Sequence, residues 1–165
     1  MKPLLPIILT ADAFRPFGEV IETDNASEIR LINKGTTTRF HDIAPVDVSD
    51  KGGRPIISIF RGKPFALPIR ISMMERHPLG SQAFMPLAGR PYLVVVAQDM
   101  AGRPGEPQAF LASETQGVSY AKGTWHHPLL ALGDVSDFLV LDRGSNDTNL
   151  EEADYPEPYA INALT

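Results

Sequence analysis

Ile69-Arg70-Ile71-Ser72-Met73-Met74-Glu75-Arg76-His77-Pro78 is the stretch on which the reading of the fold turns. It is a short apolar run closed by the turn signal at Pro78, and it reads as a strand. In an extended strand successive side chains point to opposite faces, so Ile69, Ile71, Met73, Glu75 and His77 are expected on one side. That side begins apolar and ends ionisable. If its first three residues line the interior of a barrel, Glu75 and His77 lie on the same interior near a mouth. A carboxylate in such a place must find a proton, a cation or a metal.

Outward from this stretch, similar runs recur at Ile56 to Phe60, Leu67 to Met74, Tyr92 to Ala97, Ala109 to Ala112, Leu129 to Leu132 and Phe138 to Leu141. Turn signals separate them, at Gly52-Gly53, Pro78-Leu79-Gly80, Gly89-Arg90-Pro91, Gly102-Arg103-Pro104-Gly105 and Gly133-Asp134. Fifteen prolines and thirteen glycines leave little room for long helices. One short helix is expected at Ala11 to Phe14, capped by Thr10. The window from Glu19 to Lys34 shows no sustained helical stripe. Short strands between frequent turns predict an all-β fold, a sandwich or barrel.

The 165 residues suit one domain, expected to span 1–165, because no repeat, low-complexity tract or composition shift marks a linker. The acidic tail from Asn146 to Thr165, with Pro156 and Pro158, is expected to wrap the surface or a neighbouring subunit. Hydrophobic residues at 43% and charged residues at 21% fit a globular protein and argue against disorder. The apolar run at Tyr92 stops at Gln98, far short of a membrane span. The N-terminus lacks the apolar core and cleavage site of a signal peptide, so the cytoplasm is the expected location. A net charge of −5 without a basic block argues against nucleic acid as a partner. Cysteine is absent, so any metal must take His, carboxylate or amide ligands.

The motifs are more specific. Glu75-x-His77, then Gln82 and Gly89, resembles the first motif of the cupin barrels, with Glu75 for the usual first histidine and Gln82 for the usual glutamate. Gly123-Thr124-Trp125-His126 resembles the second, whose histidine is the fourth ligand; Ala121 stands where that motif often has proline. More narrowly, the decapeptide Glu75 to Phe84 and Trp125-His126-His127-Pro128 resemble the ureidoglycolate lyase family. The likeness also takes in Ile32 to Gly35, Arg39 to Asp42, Val94 to Ala97, Gln116 to Val118 and Asp142 to Gly144. It implies a cupin-type β-barrel or jelly roll with a few short helices, a homodimer, and cleavage of (S)-ureidoglycolate to glyoxylate and urea in allantoin degradation. It also implies a divalent metal, nickel being the usual one, held by Glu75, His77, Gln82 and His126. No organic cofactor is implied.

Cleaving a carbinolamine needs a base for the hydroxyl proton and an acid for the departing nitrogen. Glu75 or His126 is the candidate base, with His77 beside them and Lys122 or His127 the candidate acid. A metal would lower the hydroxyl pKa and clamp the substrate carboxylate. Arg39, Arg61, Arg76 and Arg143 are candidates to fork that carboxylate, with Gln82 a further substrate contact. Arg76 alternates away from Glu75 and ranks below Arg61, while Arg143 beside Asp142 also reads as an ion pair. Trp125 reads as packing and His127 as a residue facing away from His126. Two other readings stay open: a different cupin enzyme, an isomerase or dioxygenase on a small hydroxy acid, and a non-enzymatic sensor of small carboxylic acids.

Overall fold

The structure, a computed structural model, describes residues 1–164. Its strands are β1 (Lys2–Pro3), β2 (Ile7–Ile8), β3 (Gly18–Ile21), β4 (Glu28–Ile32), β5 (Thr37–His41), β6 (Arg54–Gly62), β7 (Ile69–Arg76) and β8 (Gln82–Pro86). They continue as β9 (Tyr92–Asp99), β10 (Pro104–Ala112), β11 (Gly117–Tyr120), β12 (Trp125–His126), β13 (Leu130–Ala131), β14 (Ser136–Gly144) and β15 (Glu151–Ile161). The helix α1 (Ala11–Phe14) forms where expected, and the Thr10 hydroxyl accepts from the Ala13 N–H at 3.3 Å.

One sheet runs β1-β15-β7-β12-β9-β10-β2, with β13 also on β9; a second runs β3-β11-β8-β14-β6; β4 and β5 form a separate hairpin. The two larger sheets enclose a core of Phe14, Phe17, Phe84, Tyr92, Val94, Val96, Phe110, Val118 and Val140. This is the all-β architecture of a cupin-type barrel. β9 is buried along both faces, with Val94 and Val96 toward that core and Leu93, Val95 and Ala97 in a second cluster on the other face. An unbroken apolar run is what such a strand requires.

Two expectations need correction. Ile69 and Ile71 do not share a face with Glu75: they pack with Met74, Trp125 and Tyr159 in the second cluster, while Glu75 pairs with His126 and faces the cavity. Burial in β7 falls on odd positions at Ile69 and Ile71 and on the even position Met74. The phase changes where the register with β15 slips, between the pairs Ile71↔Tyr159 and Met73↔Asp154. Such an irregularity re-aims every side chain beyond it. The second correction concerns the tail. Residues 151–161 form a strand inside the first sheet, antiparallel to β7 and parallel to β1. Pro156 and Pro158 fall within the register slip, where no ladder hydrogen bond is asked of them. Thr165 lies outside the described residues.

Candidate active site

β12 lies between β7 and β9, so His126 stands opposite both Glu75 and Val96. Its Nε2 is 3.5 Å from Glu75 Oε1. His77 follows β7, and its ring centroid is 5.2 Å from that of His126. Its backbone carbonyl accepts from Gly123 N–H at 2.9 Å, and Gly123 holds the turn before β12 at φ +80°, a conformation glycine adopts without strain. One ligand atom from each of Glu75, His77 and His126 lies within 4.8 Å of the others.

The tautomers follow from the backbone. His77 Nδ1 is 2.7 Å from Asn149 O, and His126 Nδ1 is 2.9 Å from Thr124 O. A carbonyl only accepts, so each Nδ1 carries the hydrogen and each neutral ring keeps its lone pair on Nε2. Both Nε2 atoms are buried and have no hydrogen-bond partner. Burial opposes ionisation of Glu75, but positive charge on His126, and more weakly on His77 and His127, outweighs it and holds the carboxyl below its ordinary value; with the rings neutral, a bound cation would supply that charge instead. Two imidazole Nε2 atoms without hydrogen-bond partners, converging with a carboxylate, fit a divalent cation.

Glu75 and His126 open on a cavity of about 350 Å³ lined also by Gln82, His127 and Arg61 among apolar walls that include Phe60, Phe84 and Leu129. Tyr120 stacks face to face on His126, with centroids 4.2 Å apart and planes 9° apart, and sets the ring's tilt. The Tyr120 ring also lines the cavity, and burial raises its hydroxyl pKa well above the ordinary value. His127 lines the cavity too, because the chain leaves β12 there and strand alternation no longer applies. Burial pushes its ring below the ordinary histidine value, and its Nδ1 donates to Pro128 O at 2.9 Å.

Other candidates lie elsewhere. Lys122 is outside the cavity, its ammonium 2.7 Å from Asp50 and 3.2 Å from Asp47. Arg39 is on the exposed β4–β5 hairpin, opposite Arg30. Arg143 is buried, donating to Asp50 O at 2.7 Å and to Asp147 at 3.3 Å rather than pairing with Asp142. Neighbours on a strand face opposite ways, and Asp142 turns to Gln82 instead. Arg61 alone of the four arginines reaches the cavity mouth, already forked onto Asp137 at 2.8 and 2.9 Å. Arg76 faces away, as alternation predicts, lying 4.5 Å over the Trp125 ring and bonded to Asp99 and Glu151. Tyr120 and Asn149 escaped sequence reading: an aromatic ending a four-residue strand and an asparagine in a tail carry no motif.

A cupin-type barrel with two histidines and one carboxylate converging beside an open cavity defines the class: a small-molecule protein with a site suited to a metal. Within that class the chain belongs to the ureidoglycolate lyase family, whose profile matches residues 1–162. It is 57% identical to the ureidoglycolate lyase of Burkholderia mallei (strain NCTC 10229), covering 95% of this chain and 92% of that one. It is 51% identical to that of Chelativorans sp. (strain BNC1), over 98% and 97%. The relative from Brucella melitensis biotype 2 (strain ATCC 23457), also named ureidoglycolate lyase, is 59% identical over 87% of this chain and 85% of its own.

Proposed function

We propose that the protein is a ureidoglycolate lyase, cleaving (S)-ureidoglycolate to glyoxylate and urea in allantoin degradation. The observation that carries the reading is the convergence of the unpartnered His77 and His126 Nε2 atoms with the Glu75 carboxylate at the cavity, in a chain of this family. Glu75, His77 and His126 would hold the divalent ion, nickel being our choice, and such an ion supplies Lewis acidity that lowers the pKa of the substrate hydroxyl.

In the reaction the hydroxyl loses its proton, carbon–oxygen becomes a carbonyl, the carbon–nitrogen electron pair moves to nitrogen, and a proton ends on that nitrogen. No net proton is consumed. Ionised Glu75 takes the hydroxyl proton, and the same proton passes to the leaving nitrogen by way of the His127 Nε2, whose lone pair on the same wall of residues takes it up and gives it away again. Arg61 offers its remaining N–H groups to the substrate carboxylate at the mouth. The aromatic and leucine walls shield the inner end of the site, at Glu75 and His126, from water and strengthen the contacts made there.

The protein works in the cytoplasm as a homodimer. Ile57, Ile59 and Leu139, exposed side by side on β6 and β14, supply an apolar surface for a second copy. No helix among the described residues is long and apolar enough to cross a membrane.

The deciding experiment follows urea and glyoxylate release from each enantiomer of ureidoglycolate, with metal-stripped and nickel-reloaded protein. Release above the spontaneous rate, lost in Glu75→Ala and His126→Ala, is the expected result. Release at the background rate under all metals would sink the reading, and oxygen uptake with tightly bound ferrous iron would replace it by an oxygenase.

A further inference from the structure

Gln82 begins β8 and is 6% exposed, yet it lines the cavity. It stands opposite Tyr120, whose ring stacks on His126, so its amide sits beside the triad. The amide nitrogen donates to Asp142 Oδ2 at 3.2 Å, whereas Oε1 is buried without any partner. Asp142 comes from β14, one residue beyond the cross-strand pair Leu141↔Ala83. Its Oδ1 is also unpartnered, so among the described residues its side chain makes no hydrogen bond except that to Gln82.

A carboxylate can only accept, so the Gln82 nitrogen must face it; turning the amide over would set two oxygens against each other. Asp142 thereby fixes which end of Gln82 remains free. That end is a neutral acceptor, buried and unsatisfied, which is a costly state unless a ligand completes it. A glutamate in its place would add a second negative charge beside Asp142, near a site that must also admit a substrate carboxylate.

Resting on the proposed activity, we propose that Gln82 Oε1 accepts a hydrogen bond from the ureido N–H groups of the substrate, and that Asp142 is the positioning residue that locks the amide in this orientation. The substrate hydroxyl surrenders its proton to the base, so the ureido group supplies the remaining donors. The pair selects for a carbamoyl nitrogen over a plain hydroxy acid, because an analogue lacking N–H leaves Oε1 unpaired.

The test uses the nickel-loaded full chain and two unreactive probes. N-carbamoylglycine keeps the ureido group and lacks the hydroxyl; glycolate lacks the ureido group. Calorimetry should show Gln82→Met and Asp142→Leu each weakening N-carbamoylglycine by about tenfold, the scale of one hydrogen bond to a buried group, with glycolate unchanged within about twofold. The double variant should be no weaker than Gln82→Met alone, and nickel affinity should hold in all three. If Asp142→Leu does not fold, Asp142→Asn takes its place with a smaller loss of the same selectivity. Wild-type affinity in the Asp142 variant, a parallel loss of glycolate, an additive double variant, or loss of nickel in Gln82→Met would each overturn the assignment. Turnover by wild type with any of these results rejects this inference alone; absence of turnover in wild type rejects the proposed activity.

Discussion

His126 stands directly across the strand pair from Glu75, its Nε2 3.5 Å from Oε1, and neither atom is the histidine's backbone anchor, which is Nδ1 on Thr124 O. The pair is thus held apart at the distance a shared ligand would span.

Metal affinity should therefore depend on both residues and on His77. Glu75→Gln, His77→Ala and His126→Ala are each expected to lower nickel affinity by at least about tenfold in calorimetry, since each removes one donor. Wild-type protein should also melt at a higher temperature with nickel than without, and the variants should lose most of that increment. An unchanged affinity in any of the three would remove that residue from the site.

Trp125, next to His126, is 2% exposed; its indole N–H donates to Asp99 at 2.9 Å and Arg76 lies over its ring. It is packing rather than a platform for substrate. Trp125→Ala should destabilise the chain by about 3–5 kcal/mol through cavity formation, measured by urea unfolding. Trp125→Phe should cost less and leave nickel affinity close to wild type.

The strands were legible where burial is two-sided or alternation is strict: Tyr92 to Ala97 and Phe138 to Leu141 lie within β9 and β14. The helix at Ala11–Phe14 was legible from its cap. β15 was hidden because its prolines sit in a register slip that only the partner strand reveals. The candidate residues Glu75, Gln82 and His126 were singled out by the motifs, and the structure brings them to one cavity with His77 beside them. Glu75 reaches it by a phase change in β7 that local alternation does not contain. Asp142 and Asn149 act through single hydrogen bonds across long sequence separations, which no local pattern records.

Lys122 separates motif proximity from spatial role. Three residues before Trp125 in sequence, it is spent on Asp50 and, more weakly, Asp47, which raise its ammonium pKa. Lys122→Ala should leave kcat and KM within about twofold of wild type, because exposed ion pairs contribute little and the group does not reach the cavity. A large fall in kcat with unchanged folding would return Lys122 to the catalytic set.

Arg143 offers the sharpest contrast between two roles. A substrate-binding arginine, when removed, raises KM and leaves stability nearly intact. Here the guanidinium donates to Asp50 O through Nε at 3.3 Å and Nη2 at 2.7 Å, and Nη2 also reaches Asp147. Asp147 belongs to the segment that ends in Asn149, whose carbonyl accepts from His77 Nδ1 and whose side chain accepts from Leu79 N–H at 2.7 Å. Arg143→Met would leave Asp50 O without its donor, at about 1–3 kcal/mol. It would also loosen the support of His77. Urea unfolding of the metal-free variant should show that loss, and nickel affinity should fall while glycolate binding to nickel-saturated protein stays near wild type. Undiminished stability with a selective loss of glycolate would restore Arg143 as the carboxylate fork.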